Sequence, residues 1–477
     1  MKGLEALNIR RLVTDSRKIA PGDTFVAYAG ENADGRRFIM DAVKMGATSV
    51  IWEEEGHSWN PDLHVPNLPV RNLRERAGEI ASQVYGDPSA KLHMIGVTGT
   101  NGKTSSTHWI AQAMTRLGRK TAVIGTLGNG FPGKLSPTVN TTPDAVSIQG
   151  LLSDFVEEGA QCVAMEVSSH ALAQGRINGV RFDIGLFTNL TRDHLDYHGD
   201  MESYGAAKAL LFERPELKRA ILNVDDSFGA SLMNQSIAKE KISYGFSEMS
   251  GKEWVRGKNL RLEREGMVLD VESSWGCGVL RSKTVGKFNA SNLLGVLCVL
   301  LASGCGFEES LDALANVEAV PGRMQKIGGD GKPVVVVDYA HTPDALENTL
   351  DALREIATGQ LVCVFGCGGE RDPGKRPIMG KIASRHADRI YVTSDNPRGE
   401  EIDSIIDQIV AGIEGDYCVI RDRKDAIFRS IHDSGMDDVV LIAGKGHEDY
   451  QEIKGRKFPF SDVEVARSAL EAWGGTC

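Results

Sequence analysis

Apolar positions along this chain follow two periods. Short unbroken apolar runs closed by Gly, Asp or Asn read as buried strands, and stretches with apolar residues three and four apart read as helices. In the first third, 24–29 and 49–52 read as strands around a helix-like 37–45. Tyr85-Gly86-Asp87-Pro88-Ser89 carries turn chemistry and marks a boundary. A strand–loop–helix unit at 93–118 follows, then strands at 121–126, 162–167, 183–188 and 219–224 with helical segments between several of them. Residues 253–287 are more β-like, and helices at 289–302 and near 308–316 lead to a second boundary at Val320-Pro321-Gly322. Beyond it the alternation restarts, with strands at 334–337, 361–365, 389–393, 418–420 and 439–442 and helices at 344–357, 375–386, 401–413 and 424–433. This pattern predicts an α/β fold with mostly parallel sheets covered on both faces.

Composition narrows the picture. At roughly 150 residues per domain, 477 residues predict about three domains. Lys plus Arg number 54 against 65 Asp plus Glu, a formal net charge of −11, which excludes a general nucleic-acid binder with a basic stripe. It leaves room for a local cationic pocket. None of the eight cysteines forms a CxxC pair, so a reducing, cytoplasmic setting is expected. Residues 1–17 are too polar for a signal peptide, and the longest apolar stretch, 293–301, has the length of a buried helix segment. No membrane and no nucleic acid are expected as partners.

The chemistry concentrates first at Gly96-Val97-Thr98-Gly99-Thr100-Asn101-Gly102-Lys103-Thr104-Ser105, where a strand runs through a Gly-rich loop into a helix. Glycines let successive N–H groups turn inward on a polyphosphate, and the helix N-terminus adds a favourable dipole. Lys103 would contact the β/γ-phosphates and the Thr104 hydroxyl would bind Mg²⁺. A strict GxxxxGK[ST] loop has Gly at position 97, where this chain has Val. ATP or GTP binding is the expectation. Glu166 ends an apolar strand where open parallel sheets bind ligands, and its oxygens suit Mg²⁺. His194 and His198 stand four residues apart, and HEDYQ at 447–451 lacks the second His of HExxH, so neither makes a good zinc site. On local sequence Lys208 reads as a helix-surface lysine.

The GTNGKT loop resembles that of the Mur ligases and of folylpolyglutamate synthases, ATP-dependent enzymes that form amides. The Mur resemblance extends over nearly the whole chain. It implies three domains: a small N-terminal α/β domain at 1–87 that binds UDP, a central P-loop ATPase-type parallel sheet at 88–319, and a C-terminal Rossmann-like α/β domain at 320–477 that binds an amino acid. By that resemblance Gly99, Thr100, Asn101, Gly102, Lys103, Thr104 and Ser105 hold ATP, with Asn289 and Asn292 near the base, Asp338 on the ribose and His341 beside the adenine. Arg323 matches the hinge arginine near the phosphates. Two Mg²⁺ ions are implied, with Thr104, Glu166, His194 and Lys208 at the metals. Lys208 would act as a CO₂-derived carbamate, because an ammonium cannot ligate a cation.

The ends of the chain resemble members that add the third peptide residue. Thr14-Asp15-Ser16-Arg17 and Gly30-Glu31-Asn32-Ala33-Asp34-Gly35 resemble UDP-binding elements, with Ser16, Asn32 and Ala33 by the diphosphate; Glu31 stands where relatives often carry His. Asn140, Thr141, Thr142, Ser168 and Arg176 resemble contacts to the muramoyl-dipeptide. Arg371, then Asp395-Asn396-Pro397-Arg398, Gly444 and Glu448 resemble the diaminopimelate pocket. Two Arg forks suit the two carboxylates of that amino acid, and Glu448 suits its distal ammonium.

The expected reaction joins meso-diaminopimelate to UDP-N-acetylmuramoyl-L-Ala-D-Glu at the expense of ATP, in a cytoplasmic monomer. The rivals are a Mur ligase that adds L-lysine, a folylpolyglutamate synthase, and a regulatory P-loop NTPase that performs no ligation. The UDP-type segment and DNPR disfavour the synthase.

Overall fold

In the computed structural model residues 3–474 are described except 32, 250, 264, 265 and 330, and these form three large sheets and one two-stranded one. The first sheet has four parallel strands, Leu12–Val13, Thr24–Ala27, Ser49–Glu53 and Asn67–Val70, in sequence order. The expected helix at 37–45 is shorter. Asp34 caps a 3-10 turn at Gly35–Phe38, and only Ile39–Lys44 is α-helical. The helix Leu73–Val84, which the pattern did not single out, buries Leu73, Ala77, Ile80 and Ala81 and packs against Ala145–Glu157 of the next unit.

The central sheet has eleven strands. Its parallel core runs Glu240–Gly245, Arg219–Asn223, Ile184–Phe187, His93–Thr98, Cys162–Glu166, Thr121–Gly125 across the sheet. The β-like 253–287 becomes three long strands, Glu253–Glu263, Gly266–Ser273 and Gly276–Ser282, that continue the sheet at one edge. At the other edge a small antiparallel extension, Gly128–Phe131 with Lys134–Ser136, follows Thr121–Gly125. The helix Lys287–Ala302 is apolar around its circumference because it packs on both the sheet and the helix Lys103–Arg116. Leu293, Leu294, Leu297 and Leu300 are all fully buried there, so truncating any one to Ala costs about 2–5 kcal/mol.

The third sheet orders Gln325–Gly328, Val334–Asp338, Val439–Ala443, Leu361–Phe365, Arg389–Val392, Cys418–Val419, parallel except for the first strand. Three of its five parallel strands, Val334–Asp338, Val439–Ala443 and Leu361–Phe365, are buried along their length, and core clusters lie on both faces, as in a doubly wound sheet. A hairpin, Tyr450–Ile453 with Arg456–Pro459, and the helix Asp462–Ala472 complete the chain. No helix among the described residues is long and apolar enough to cross a membrane.

Candidate active site

The Gly-rich loop leaves the carboxyl end of His93–Thr98, the central strand of the parallel core, and enters the helix Lys103–Arg116. Its glycines are dictated by close approach. A Cβ on Gly99 would lie 1.9 Å from Thr188 Oγ1, and one on Gly102 would lie 2.4 Å from Asn292 Oδ1. Both also have positive φ, +147° and +84°. Across the next strand, Asn189 fixes the loop: its carbonyl accepts from Thr100 N at 2.8 Å and its Oδ1 from Asn101 N at 2.9 Å.

Two lysine amines lie under this loop, Lys208 buried and Lys103 partly so. Lys103 Nζ donates to the Gly99 and Thr100 carbonyls, each at 2.8 Å, and Lys208 Nζ donates to Gly99 O at 2.9 Å. Lys208 is thus no surface lysine: it is 1% exposed, with Nζ 4.4 Å from the centre of the Tyr204 ring. Burial holds both amines below the usual lysine range, and the charge of Lys103 pushes Lys208 down further. Desolvation disfavours the ammonium form of Lys208, and the unprotonated amine is the form that reacts with CO₂, which fits carbamate formation.

Glu166 closes the other side. Fully buried, it accepts from Thr104 Oγ1 at 3.0 Å, Thr126 N at 2.8 Å and Thr126 Oγ1 at 3.2 Å. Gly125 makes the room: a Cβ there would lie 2.3 Å from Glu166 Oε1. A buried carboxylate held by neutral donors beside a phosphate loop fits a hard divalent cation. Among the described residues no three His, Cys, Asp or Glu side chains form a metal cage, so such a cation would take its remaining ligands from phosphate and water.

His194 caps a short helix with φ +53°, its Nε2 3.3 Å from Asp193 Oδ2 and its ring 4.8 Å from that of His170. Burial outweighs the Asp193 charge and keeps its imidazole neutral, as a metal ligand must be.

Two joined spaces meet at the loop. A cavity of about 160 Å³ is lined by Lys103, Thr104, Glu166, His194, Lys208 and Arg323 among others. A second, of about 590 Å³, continues from Gly102, Ser105 and Arg323 to Asn289, Asn292, Asp338 and Ala340. Asp338 accepts from Met324 N at 2.7 Å, and burial raises its carboxyl pKa. His341 lines the smaller phosphate space rather than the larger cavity, its Nδ1 2.9 Å from Tyr339 O. Arg323 bridges the sheets, donating to Thr104 Oγ1 at 3.2 Å while lying 4.5 Å over the Tyr339 ring. Asn101 reaches Asp344 Oδ2 at 2.8 Å across the same gap.

Tyr339 leads to the second pocket, its hydroxyl 3.5 Å from Glu448 Oε1. Glu448 Oε2 accepts from Asn396 Nδ2 at 2.8 Å and from Lys445 Nζ at 2.9 Å. Lys445, fully buried, was not singled out in the sequence although it stands in Gly444-Lys445-Gly446-His447-Glu448. Gly444, φ +119°, gives way to Asp395, whose Oδ2 would be 2.7 Å from a Cβ there. Arg398 adopts φ +51° and donates to Gly369 O at 2.7 Å, and Pro397 packs its carbonyl against Gly369. Arg371 is exposed and donates to Glu370 O at 3.0 Å.

The remaining expected residues line the approach from the N-terminal sheet. Thr142 Oγ1 donates to Glu166 O at 2.8 Å and accepts from Ser168 N at 3.1 Å, and Ser168 caps the helix Ser169–Ala173. Thr141 Oγ1 meets Thr126 Oγ1 at 3.0 Å, and Arg176 Nη1 donates to Thr142 O at 3.0 Å. Asn140 is exposed beside them. Ser16 opens the 3-10 turn Ser16–Lys18 that follows Leu12–Val13, and Ala33 lies in the loop that follows Thr24–Ala27; Asn32 lies outside the described residues. Residues that sequence reasoning missed here are Tyr197, Gln174 and Arg74, which converge on Glu31.

Comparison with known proteins covers the same ground. Family models described as Mur ligase family, catalytic domain; Mur ligase middle domain; and Mur ligase, glutamate ligase domain match residues 8–85, 97–300 and 322–446. The chain is 50% identical over 474 residues to the UDP-N-acetylmuramoyl-L-alanyl-D-glutamate–2,6-diaminopimelate ligase of Chromobacterium violaceum, covering 98% of this chain and 95% of that one. It is 48% identical over 491 residues to the protein of the same name from Nitrosomonas europaea, covering 98% and 94%. A solved structure bearing that name matches with 36% identity and a TM-score of 0.68, covering 97% and 95%. The ligase MurF of Thermotoga maritima in complex with ADP shares the fold, with a TM-score of 0.69 at 19% identity over 98% of each chain.

Proposed function

The chain belongs to the Mur ligase family, and on that premise we propose that it joins meso-diaminopimelate to the D-Glu γ-carboxylate of UDP-N-acetylmuramoyl-L-Ala-D-Glu in peptidoglycan precursor synthesis. The observation that carries this reading is the arrangement around the phosphate loop. The two cavities there share Asn101, Gly102, Ser105, Arg323 and Tyr339 in their walls, and the Tyr339 hydroxyl reaches Glu448, the carboxylate to which Asn396 donates. ATP occupies the large cavity with its phosphates on the loop. The γ-carboxylate attacks the γ-phosphorus, giving an acyl phosphate and ADP. The amine of diaminopimelate then attacks the acyl carbon, and the tetrahedral intermediate collapses to the amide and inorganic phosphate.

The chain's residues do this mostly by position and charge. Lys103 leaves its carbonyl partners for the β/γ-phosphates, where its charge opposes that building on the transferred group. Arg323, already at Thr104, adds a second cation from the third sheet. Thr104, Glu166, His194 and Lys208, the last as a carbamate, would hold two Mg²⁺ ions, which would supply neutralisation of phosphate charge and Lewis acidity. Thr141, Thr142, Ser168 and Arg176 orient the dipeptide, and Ser16, Asn32 and Ala33 take the diphosphate. Glu448 faces an ammonium, and Arg398 and Arg371 face carboxylates. L-lysine lacks the distal carboxylate and would leave an Arg fork unpaired, which disfavours the lysine-adding alternative. The enzyme works as a cytoplasmic monomer.

One assay tests the reading. Phosphate release and UDP-tripeptide formation are measured with ATP, UDP-N-acetylmuramoyl-L-Ala-D-Glu and either meso-diaminopimelate or L-lysine. Product with diaminopimelate and little with lysine is expected. Equal turnover of lysine, or ATP consumption without any amine acceptor, would sink it.

A further inference from the structure

Glu31 stands in the Gly30–Gly35 segment read above as UDP-binding, and three donors hold its carboxylate. Oε1 accepts from the Tyr197 hydroxyl at 2.8 Å and from Arg74 Nη2 at 3.1 Å, and Oε2 accepts from Gln174 Nε2 at 2.7 Å. Gln174 Oε1 in turn accepts from Arg176 Nε at 2.6 Å. Arg74 belongs to the first unit, whereas Gln174, Arg176 and Tyr197 belong to the central one. Two guanidinium groups, an amide and a phenol hydroxyl thus converge on one spot between the units, a donor set suited to a multiply charged oxyanion. The Glu31 and Arg74 side chains are each 38% exposed, so a ligand can reach them.

We propose that Glu31 is an internal anion seated in the cradle that receives the diphosphate of the UDP substrate, and that it sets substrate affinity by competing for those donors. The inference rests on the substrate reading above. It extends that reading to Arg74 and Tyr197 as cradle residues and assigns Glu31 a role. Burial pulls the Glu31 carboxyl upward, but the Tyr197 and Arg74 hydrogen bonds and the charges of Arg74 and Arg176 outweigh it, so Glu31 stays ionised and opposes a second anion. With Glu31 in place the two arginines carry one net positive charge; without it they carry two.

The test compares wild type with Glu31→Gln, which keeps the size and an acceptor but removes the charge. Measured are KM and kcat for ligation and the calorimetric Kd of UDP-N-acetylmuramoyl-L-Ala-D-Glu. Both KM and Kd should fall about three- to tenfold with kcat within about twofold, and the gain should shrink at high salt. A gain in affinity cannot come from a folding defect. Unchanged or weaker binding would overturn the proposal. In a double-mutant cycle the Glu31→Gln gain should shrink when Arg74→Gln is already present, and an undiminished gain there would also overturn it. Product formation by the wild type is scored separately, so failure of the substrate reading is distinguishable from failure of this one.

Discussion

At the phosphate loop Lys103 and Lys208 are held against backbone carbonyls, whereas beyond Tyr339 Lys445 is buried against the Glu448 carboxylate and the Asn396 side-chain carbonyl. The first arrangement leaves the Lys103 ammonium held by neutral acceptors, with Lys208 beside it as the amine open to carbamate formation. A polyanion entering the loop relieves the desolvation of Lys103, so binding energy is released where charge moves during phosphoryl transfer. The second arrangement is already neutral. Its members fix one another's geometry, and what it contributes is shape and choice of amino acid. The loop therefore acts mainly on rate and the pocket mainly on selection.

The strongest test of that contrast removes the loop cation. Lys103→Ala should lower ADP formation by about a thousandfold or more, read as ADP release with both acceptors present. Near-normal turnover would erase the contrast. Lys208→Ala comes next. If the amine works as a carbamate, the loss should be about a hundredfold, and formate or acetate entering the space left by the side chain should restore part of it. Failure of every short carboxylate to rescue a folded variant would leave Lys208 as a plain buried cation.

The contrast also explains what the sequence made legible. The phosphate loop could be read because strand, glycines, Lys103 and Thr104 are contiguous, so a local pattern carries the whole device. The burial of Lys208 could not, because Met201–Ala209 mixes small and polar residues without a clear apolar face, and the lysine is covered by a loop about a hundred positions away. The doubly wound sheets followed from apolar strands, but the edge hairpin Gly128–Phe131 with Lys134–Ser136 did not, since Gly-rich edge strands carry little hydrophobic signal. Tyr339 meets Glu448 109 positions away and Glu31 meets Tyr197 166 positions away, while Lys445 pairs with the nearby Glu448 but also with Asn396, 49 positions away; nothing local marks a lysine or a tyrosine as paired.

In the amino-acid pocket the effect should fall on preference rather than on rate. Arg398 is held by its backbone, with its N donating to Glu452 O at 3.0 Å and its O accepting from Lys454 N at 2.7 Å. Its guanidinium is therefore aimed by a rigid segment. Arg398→Ala should cut the ratio of diaminopimelate to lysine turnover by about ten- to a hundredfold, mostly through KM for diaminopimelate. An unchanged ratio would move selection elsewhere in the pocket, and a pure loss of kcat would blur the division between the two regions.

The smallest effect is expected where the two regions are tied at the surface. Arg192 of the central unit donates through Nε and Nη2 to Asp372 Oδ2, each at 3.1 Å, and the arginine side chain is 46% exposed. An exposed pair of this kind is worth at most about 1 kcal/mol and is screened by salt. The units are also joined through less exposed groups, Asn101 to Asp344 and Arg323 to Thr104. Arg192→Gln should therefore change kcat/KM by no more than about fivefold at low salt and less at 0.5 M salt. A tenfold or salt-independent loss would mean that bringing Lys103 and Glu448 together depends on this pair, and that the two regions are coupled through their rim rather than through Tyr339 and Arg323.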